Sequence, residues 1–203
     1  LDAATTANNN TGIGQSALTG VTTGSDNTGV GANVMTEITT GSSNTGVGNA
    51  ALDACTTGQH NTVVGKNAGG AITEGNYNTA LGSAALRDTN TGSSNVAVGI
   101  DAMAVNTTGS NNVAVGQNCL DAATTADANT AVGGSALSAC TTGNQNVAVG
   151  YTALQNSTTG RANTTLGHQA AQNLTTGIDN VVLGYVSGTG LSSGSKNVLI
   201  GVS

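Results

Sequence analysis

Residues 146–160 read Asn-Val-Ala-Val-Gly-Tyr-Thr-Ala-Leu-Gln-Asn-Ser-Thr-Thr-Gly, and two residues further on, at Asn163, the phrase starts again as Asn-Thr-Thr-Leu-Gly. The pairing of Asn with a Gly four residues later occurs at Asn10, Asn27, Asn44, Asn61, Asn78, Asn95, Asn112, Asn129, Asn146, Asn163, Asn180 and Asn197. Every interval is 17 residues, without insertion or deletion. Self-similarity at a fixed short period marks a solenoid, in which each unit buries its apolar face only against its neighbours. Eleven complete units run from 10 to 196, with partial units at both ends, so residues 1–203 read as one repeat domain. Leu1 falls in the middle of a unit, and the chain reads as an excerpt of a longer one.

Working outward from that phrase, the unit is N-[TV]-x-[VIL]-G-x-x-A-L-x-x-x-T-T-G-x-x. We number its positions 1 to 17 from the Asn. Gly or Asn interrupts it too often for helix, where each internal Gly costs about 1 kcal/mol. Segments of four or five residues rich in Val and Thr and bounded by Gly and Asn read as strands. The expectation is two strands per unit, stacked coil on coil into a parallel β-roll. Like residues then form ladders at the inter-strand spacing of about 4.8 Å, which makes a rod about 50 Å long. Ladder residues are Asn27, Val30 and Gly31, with the equivalent Asn112, Val115 and Gly116, and Asn146, Val149 and Gly150. Stacked Asn side chains at position 1 should bond to the coils above and below.

Composition agrees with a narrow core. The chain has no Pro, Phe or Trp, three Tyr, and only 7% charged residues. All fourteen charged side chains fall at positions 6, 7, 10, 11, 14, 16 or 17, away from the ladders, as an unpaired charge must. A net charge of −6 with four basic residues offers no footprint for nucleic acid or for an anionic membrane. No apolar run approaches the ~20 residues of a membrane span.

Position 3 is the odd one. If positions 2 and 4 of the first strand face inward, position 3 faces outward. Yet it is Gly, Ala, Val, Leu or Thr throughout. A strand covered on both faces reads as apolar at every position, so Ala97, Ala114, Ala131 and Ala148 are expected to contact another copy of the chain.

The 146–160 phrase resembles the repeats of phage tail-fibre and appendage proteins, which often precede an endosialidase-type chaperone domain. An N-[TS]-x-[VI]-G core is also similar to the head repeat of YadA-type trimeric autotransporter adhesins, whose coils are shorter. The resemblance covers essentially the whole chain. It implies a left-handed parallel β-roll assembled as a homotrimer, at a virion surface or outside a cell. The implied role is a structural shaft holding a distal receptor-binding element. The alternative is an adhesin head that itself binds host or matrix. Any host receptor or glycan would be reached through other domains.

Other motifs carry less. Gly12-Ile-Gly-Gln-Ser-Ala17 and its two successors imitate a dinucleotide fingerprint, but the next copy arrives after 17 residues, leaving no room for the βαβ unit. Cys55 and Cys140 share position 12 five coils apart and cannot bridge; with Cys119 they read as small buried hydrophobes. His60 and His168 read as solvated surface residues, and no aromatic cluster is evident. No carboxylate pair recurs, so no enzyme activity, metal or cofactor is expected. Asn-x-Ser/Thr sequons such as those at Asn106, Asn156, Asn163 and Asn173 are what chance gives in so Asn- and Thr-rich a chain. The Thr-Thr rows raise ice binding as a minor alternative, although adjacent strand residues point to opposite faces.

Overall fold

The computed structural model describes residues 5–203. Its strands are β1 (Thr11–Ile13), β2 (Thr28–Val30), β3 (Thr45–Val47), β4 (Thr62–Val64), β5 (Thr79–Leu81) and β6 (Val96–Val98). They continue as β7 (Val113–Val115), β8 (Thr130–Val132), β9 (Val147–Val149), β10 (Thr164–Leu166), β11 (Val181–Leu183) and β12 (Val198–Ile200). All twelve pair in sequence order into one parallel sheet, each residue opposite the one 17 later, as in Thr11↔Thr28 and Val181↔Val198. The parallel β-solenoid of 17-residue coils read from the sequence is therefore the fold.

Each coil supplies one strand, not two. Positions 2 to 4 make it, because Val and Thr suit the pleat and the flanking positions turn the chain. The Thr-Thr segment bonds from coil to coil in another way. The Thr39 carbonyl accepts the backbone N–H groups of Thr22, Thr23 and Gly24 at 3.0, 3.1 and 3.1 Å. The Thr22 hydroxyl donates to the same oxygen at 3.0 Å. Three N–H groups converging on one carbonyl form a bend, whereas a ladder needs one acceptor per donor. Position 13 holds Thr because its hydroxyl joins that cluster.

The Asn ladder closes each coil. Asn44 Nδ2 donates to the Gly58 carbonyl of its own coil at 2.8 Å and to Asn27 Oδ1 at 3.1 Å. Asn44 Oδ1 in turn accepts the Asn61 backbone N–H at 2.9 Å. From Asn27 to Asn180 these side chains are fully buried. A buried amide is tolerated only when its donors and acceptor are bonded, which the 17-residue spacing guarantees here. Gly at position 5 turns the corner after the strand. At Gly116 φ is +138°, and an added Cβ would lie 2.6 Å from the Gly133 carbonyl oxygen, so no side chain fits.

The inside and outside of the strand are reversed from the sequence expectation. Ala97, Ala114, Ala131 and Ala148 are fully buried within their own chain, so they are core residues and not contacts to another copy. Val30, Val115 and Val149 stand on the outer face, half-buried against their neighbours along the sheet. The cause is position 9, which lies across the core from position 3. A Cβ on Gly29 would sit 3.1 Å from Val34 Cγ1 and 3.4 Å from Met35 Cε, so a large residue already occupies that space. The two positions are never both large in any complete coil. Gly12, Gly29 and Gly46 face Leu18, Met35 and Leu52; Ala97, Ala114, Ala131 and Ala148 face Met103, Leu120, Leu137 and Leu154. Val63 faces Gly69, Thr165 faces Ala171, and Val182 faces Gly188. Position 3 is small because its partner is large. Position 8 completes the inner layer, with Ala51, Ala102 and Ala153 buried as expected.

Candidate functional site

No pocket opens among the described residues, and no three His, Cys, Asp or Glu side chains gather there as metal ligands would. What the fold presents instead is one long face and two edges. The face is the outer side of the sheet. Position 2 is Thr or Val and position 4 is Val, Leu or Ile in all twelve rungs, with no charge anywhere. Ile13, Leu81, Leu166 and Ile200 are among its exposed members. Burying an aliphatic side chain of this size is worth about 1.5–3 kcal/mol, and here a column of them faces outward. The first five rungs carry Thr11, Thr28, Thr45, Thr62 and Thr79 at position 2; Val enters that row from Val96 onward.

The edges of this face are position 17, two residues before the strand, and position 6, two residues after it. They carry every aromatic and imidazole ring of the chain. On the position 17 edge His60 stacks on Tyr77 with ring centroids 5.0 Å apart and planes within 5°. On the position 6 edge, at the other end of the rod, His168 lies between Tyr151 at 5.6 Å and Tyr185 at 5.1 Å. The sequence reading took the two histidines as isolated and saw no cluster. The signal was present: 60 and 77 differ by 17, as do 151, 168 and 185, and a common position in adjacent coils means adjacent side chains.

The stacks have a chemical consequence. Ring faces turn toward one another along the rod, so a sugar approaching from outside meets mainly edges, hydroxyls and the imidazole. Tyr151 leans over Gly134, where an added Cβ would be 3.3 Å from its Cδ2. Tyr77, Tyr151 and Tyr185 remain 63, 58 and 56% exposed. Each stacked pair is worth about 0.5–1.5 kcal/mol and ties consecutive coils together.

The remaining reactive groups are scattered. Cys55, Cys119 and Cys140 are free and buried. Burial pushes their thiols up to about 11, 12 and 11, which leaves them un-ionised and inert. Cys119 Sγ donates to the Ala131 carbonyl at 3.2 Å. Burial also raises Asp53 and Asp121, but these lie four coils apart and form no acid–base pair. Arg87 pairs with its neighbour Asp88 at 3.1 Å and reaches the next coil at Asp101, 3.5 Å away, exposed pairs worth about 0–1 kcal/mol each. Polar atoms are left without a hydrogen-bond partner at four buried places, Thr152 Oγ1, His168 Nδ1 and, on adjacent rungs of position 12, Thr89 Oγ1 and Asn106 Oδ1.

Comparison with family models, with curated proteins and with solved structures returns no match to this chain.

Proposed function

We propose that the chain is a structural shaft segment of an extracellular or virion appendage, without enzyme activity, built from identical copies packed through their outer sheet faces. The observation that carries this reading is the uncharged aliphatic and Thr face that runs unbroken over twelve rungs. A surface so long and so apolar is exceptional on a molecule that stays alone. Whatever covers it must match its axial repeat rung for rung, and another copy of the same solenoid does so without adjustment. The resemblance to tail-fibre repeats adds the homotrimer and the left-handed winding. Partners other than the chain itself, a host receptor or glycan among them, belong to other domains in this reading.

Sedimentation mass tests the assembly, with three chains expected and one chain fatal to it. Deleting residues 95–111, one coil, tests the spacer role. Repeat stability is a sum over units and their interfaces, so the rod should refold about 4.8 Å shorter. Removing only 16 of those residues should destabilise it far more. In the parent particle the full-coil deletion should spare host or surface attachment. Loss of attachment with an intact rod would favour an adhesin whose site lies in the shaft.

A second reading draws on the first five rungs, where the Thr row at position 2 runs beside the aliphatic row at position 4 on the same face. Outward rows spaced by two are what an ice-binding face needs. That role requires the face to be free, so a monomeric sedimentation mass together with thermal hysteresis would favour it over the shaft.

A further inference from the structure

The two aromatic edges bracket the outer face rung by rung. On the rung of β4 the bracketing residues are His60 and Lys66; on that of β11 they are Asp179 and Tyr185. Charge is rare on both edges: Asp26, Lys66, Asp179 and Lys196 are its whole complement. Three of these four lie within one rung of a ring on the opposite edge. Lys66 is level with His60 and one rung from Tyr77; Asp179 is level with Tyr185; Lys196 is one rung from Tyr185. Within one chain the width of the strand separates the edges. Between parallel copies related by rotation about the rod axis, the position 6 edge of one copy meets the position 17 edge of the next. A closed ring also demands the same relation at every seam, hence no axial shift.

We propose that these edges are seam surfaces, and that each chain docks a second copy of itself, parallel and in the same register. The stack Tyr151–His168–Tyr185 receives Asp179 and Lys196 of the neighbouring copy, and Lys66 reaches the His60–Tyr77 stack. A lysine ammonium donates a hydrogen bond to a phenol oxygen or an imidazole nitrogen, and a carboxylate accepts a phenol proton. On the rung of β8 both edges are small, Ala128 and Gly134, so the backbones can approach there. This inference rests on the outer-face assembly proposed above and adds its direction, register and contact residues.

Paired cysteines test it. Asn111 and Gln117 are exposed and uncharged, and they bracket β7. Strand β7 lies between them and, with one residue on either side, spans about 13 Å, too far for a disulfide within one chain, which needs Cα atoms within about 7 Å. The native cysteines are buried and do not compete. Oxidised N111C/Q117C should run on a denaturing, non-reducing gel as a covalent species with the chain number found by sedimentation. The pair N111C/S83C, two rungs out of register, should stay single. Equal linking of the two pairs, or no linking of N111C/Q117C in a particle that still sediments as an assembly, overturns the inference and leaves the outer-face reading standing. A monomeric mass for the wild-type chain overturns both. As an independent measure, K66M should raise the dissociation constant of the assembly about two- to tenfold; an unchanged constant counts against the seam.

Discussion

Coils built around β4 and β11 differ from those built around β6 to β9 in a way that exposes how the core is specified. The first two place Val63 and Val182 on the strand and Gly69 and Gly188 across from them. The others place Ala on the strand and Leu or Met across from it. Val63, Val182 and the Ala, Leu and Met of the other pairs are all fully buried, and the strand register is the same in both kinds. What is constant is the sharing of one slot between two positions six residues apart, never with a large residue on both sides.

The same comparison isolates a backbone cost. Position 9 is left-handed in every complete coil. Leu18, Met35, Leu52 and Leu120 hold φ between 49° and 56°, where Gly69 and Gly188 take 58° and 70° without strain. A non-Gly residue in that region costs about 1–3 kcal/mol, and burial of a Leu side chain returns a similar amount. A Val–Gly coil avoids the strain but gives up the large side chain. Neither solution is clearly better, which is why both occur in one rod.

Four changes would break or sharpen this contrast. The largest effect is expected from Ala114→Asp, which puts a charge into the slot facing Leu120. An uncompensated buried charge costs about 3–5 kcal/mol, so chemical denaturation followed by circular dichroism should show a strongly destabilised or unfolded chain. Ala162→Asp, on the position 17 edge, should stay within about 0.5 kcal/mol of wild type. Equal tolerance of the two would return position 3 to the surface.

Converting the coil of β7 into the β4 type comes next. Leu120→Gly alone should cost about 2–5 kcal/mol through the cavity it leaves, and Ala114→Val alone about 1–3 kcal/mol through crowding. The double variant should be more stable than the sum of the two predicts, by about 0.5–3 kcal/mol in a double-mutant cycle. Strict additivity would mean that positions 3 and 9 do not share a slot.

A gain is expected from Asn106→Leu. Position 12 is Val21, Ile38, Ile72 and Leu174 in other coils, and Asn106 Oδ1 is buried and unbonded. Its Nδ2 donates at 2.8 Å to the Gly109 carbonyl, which keeps Asn95 Nδ2 at 2.9 Å after the change. Removing the orphan acceptor should stabilise by about 1–3 kcal/mol, read as a higher melting temperature. A lower one would show that the amide has a partner in solution.

The smallest effect concerns the thiols, which do nothing near neutral pH. Iodoacetamide at pH 8 should leave Cys55, Cys119 and Cys140 unlabelled until the chain unfolds. Their folded values, about 11, 12 and 11, lie above the ordinary 9.0. The stability they contribute is therefore whole below pH 9 and lost as pH rises from there toward 11–12, because the unfolded thiols ionise first. Labelling of the native chain at pH 8 would mean that position 12 opens locally.

The period, the parallel in-register stack and the buried Asn ladder were all legible in the residues. Each follows from spacing alone: seventeen residues per coil, repeated without slip, bring like to like. The aromatic stacks were legible by the same rule and were missed because the histidines were read one at a time. The direction in which the strand faces was a different matter. A period of two says that positions 2 and 4 oppose position 3, but it chooses a side only when one side is polar. Here both are apolar, so alternation left the choice open. It is made in three dimensions, where the left-handed residue at position 9 swings Leu or Met across the coil onto position 3 and leaves Val and Thr at positions 2 and 4 to face outward. The second strand expected at Thr-Thr fails for a related reason. Thr has the propensity for a strand, but in most coils two or three N–H groups already share one carbonyl there, and that geometry is a bend.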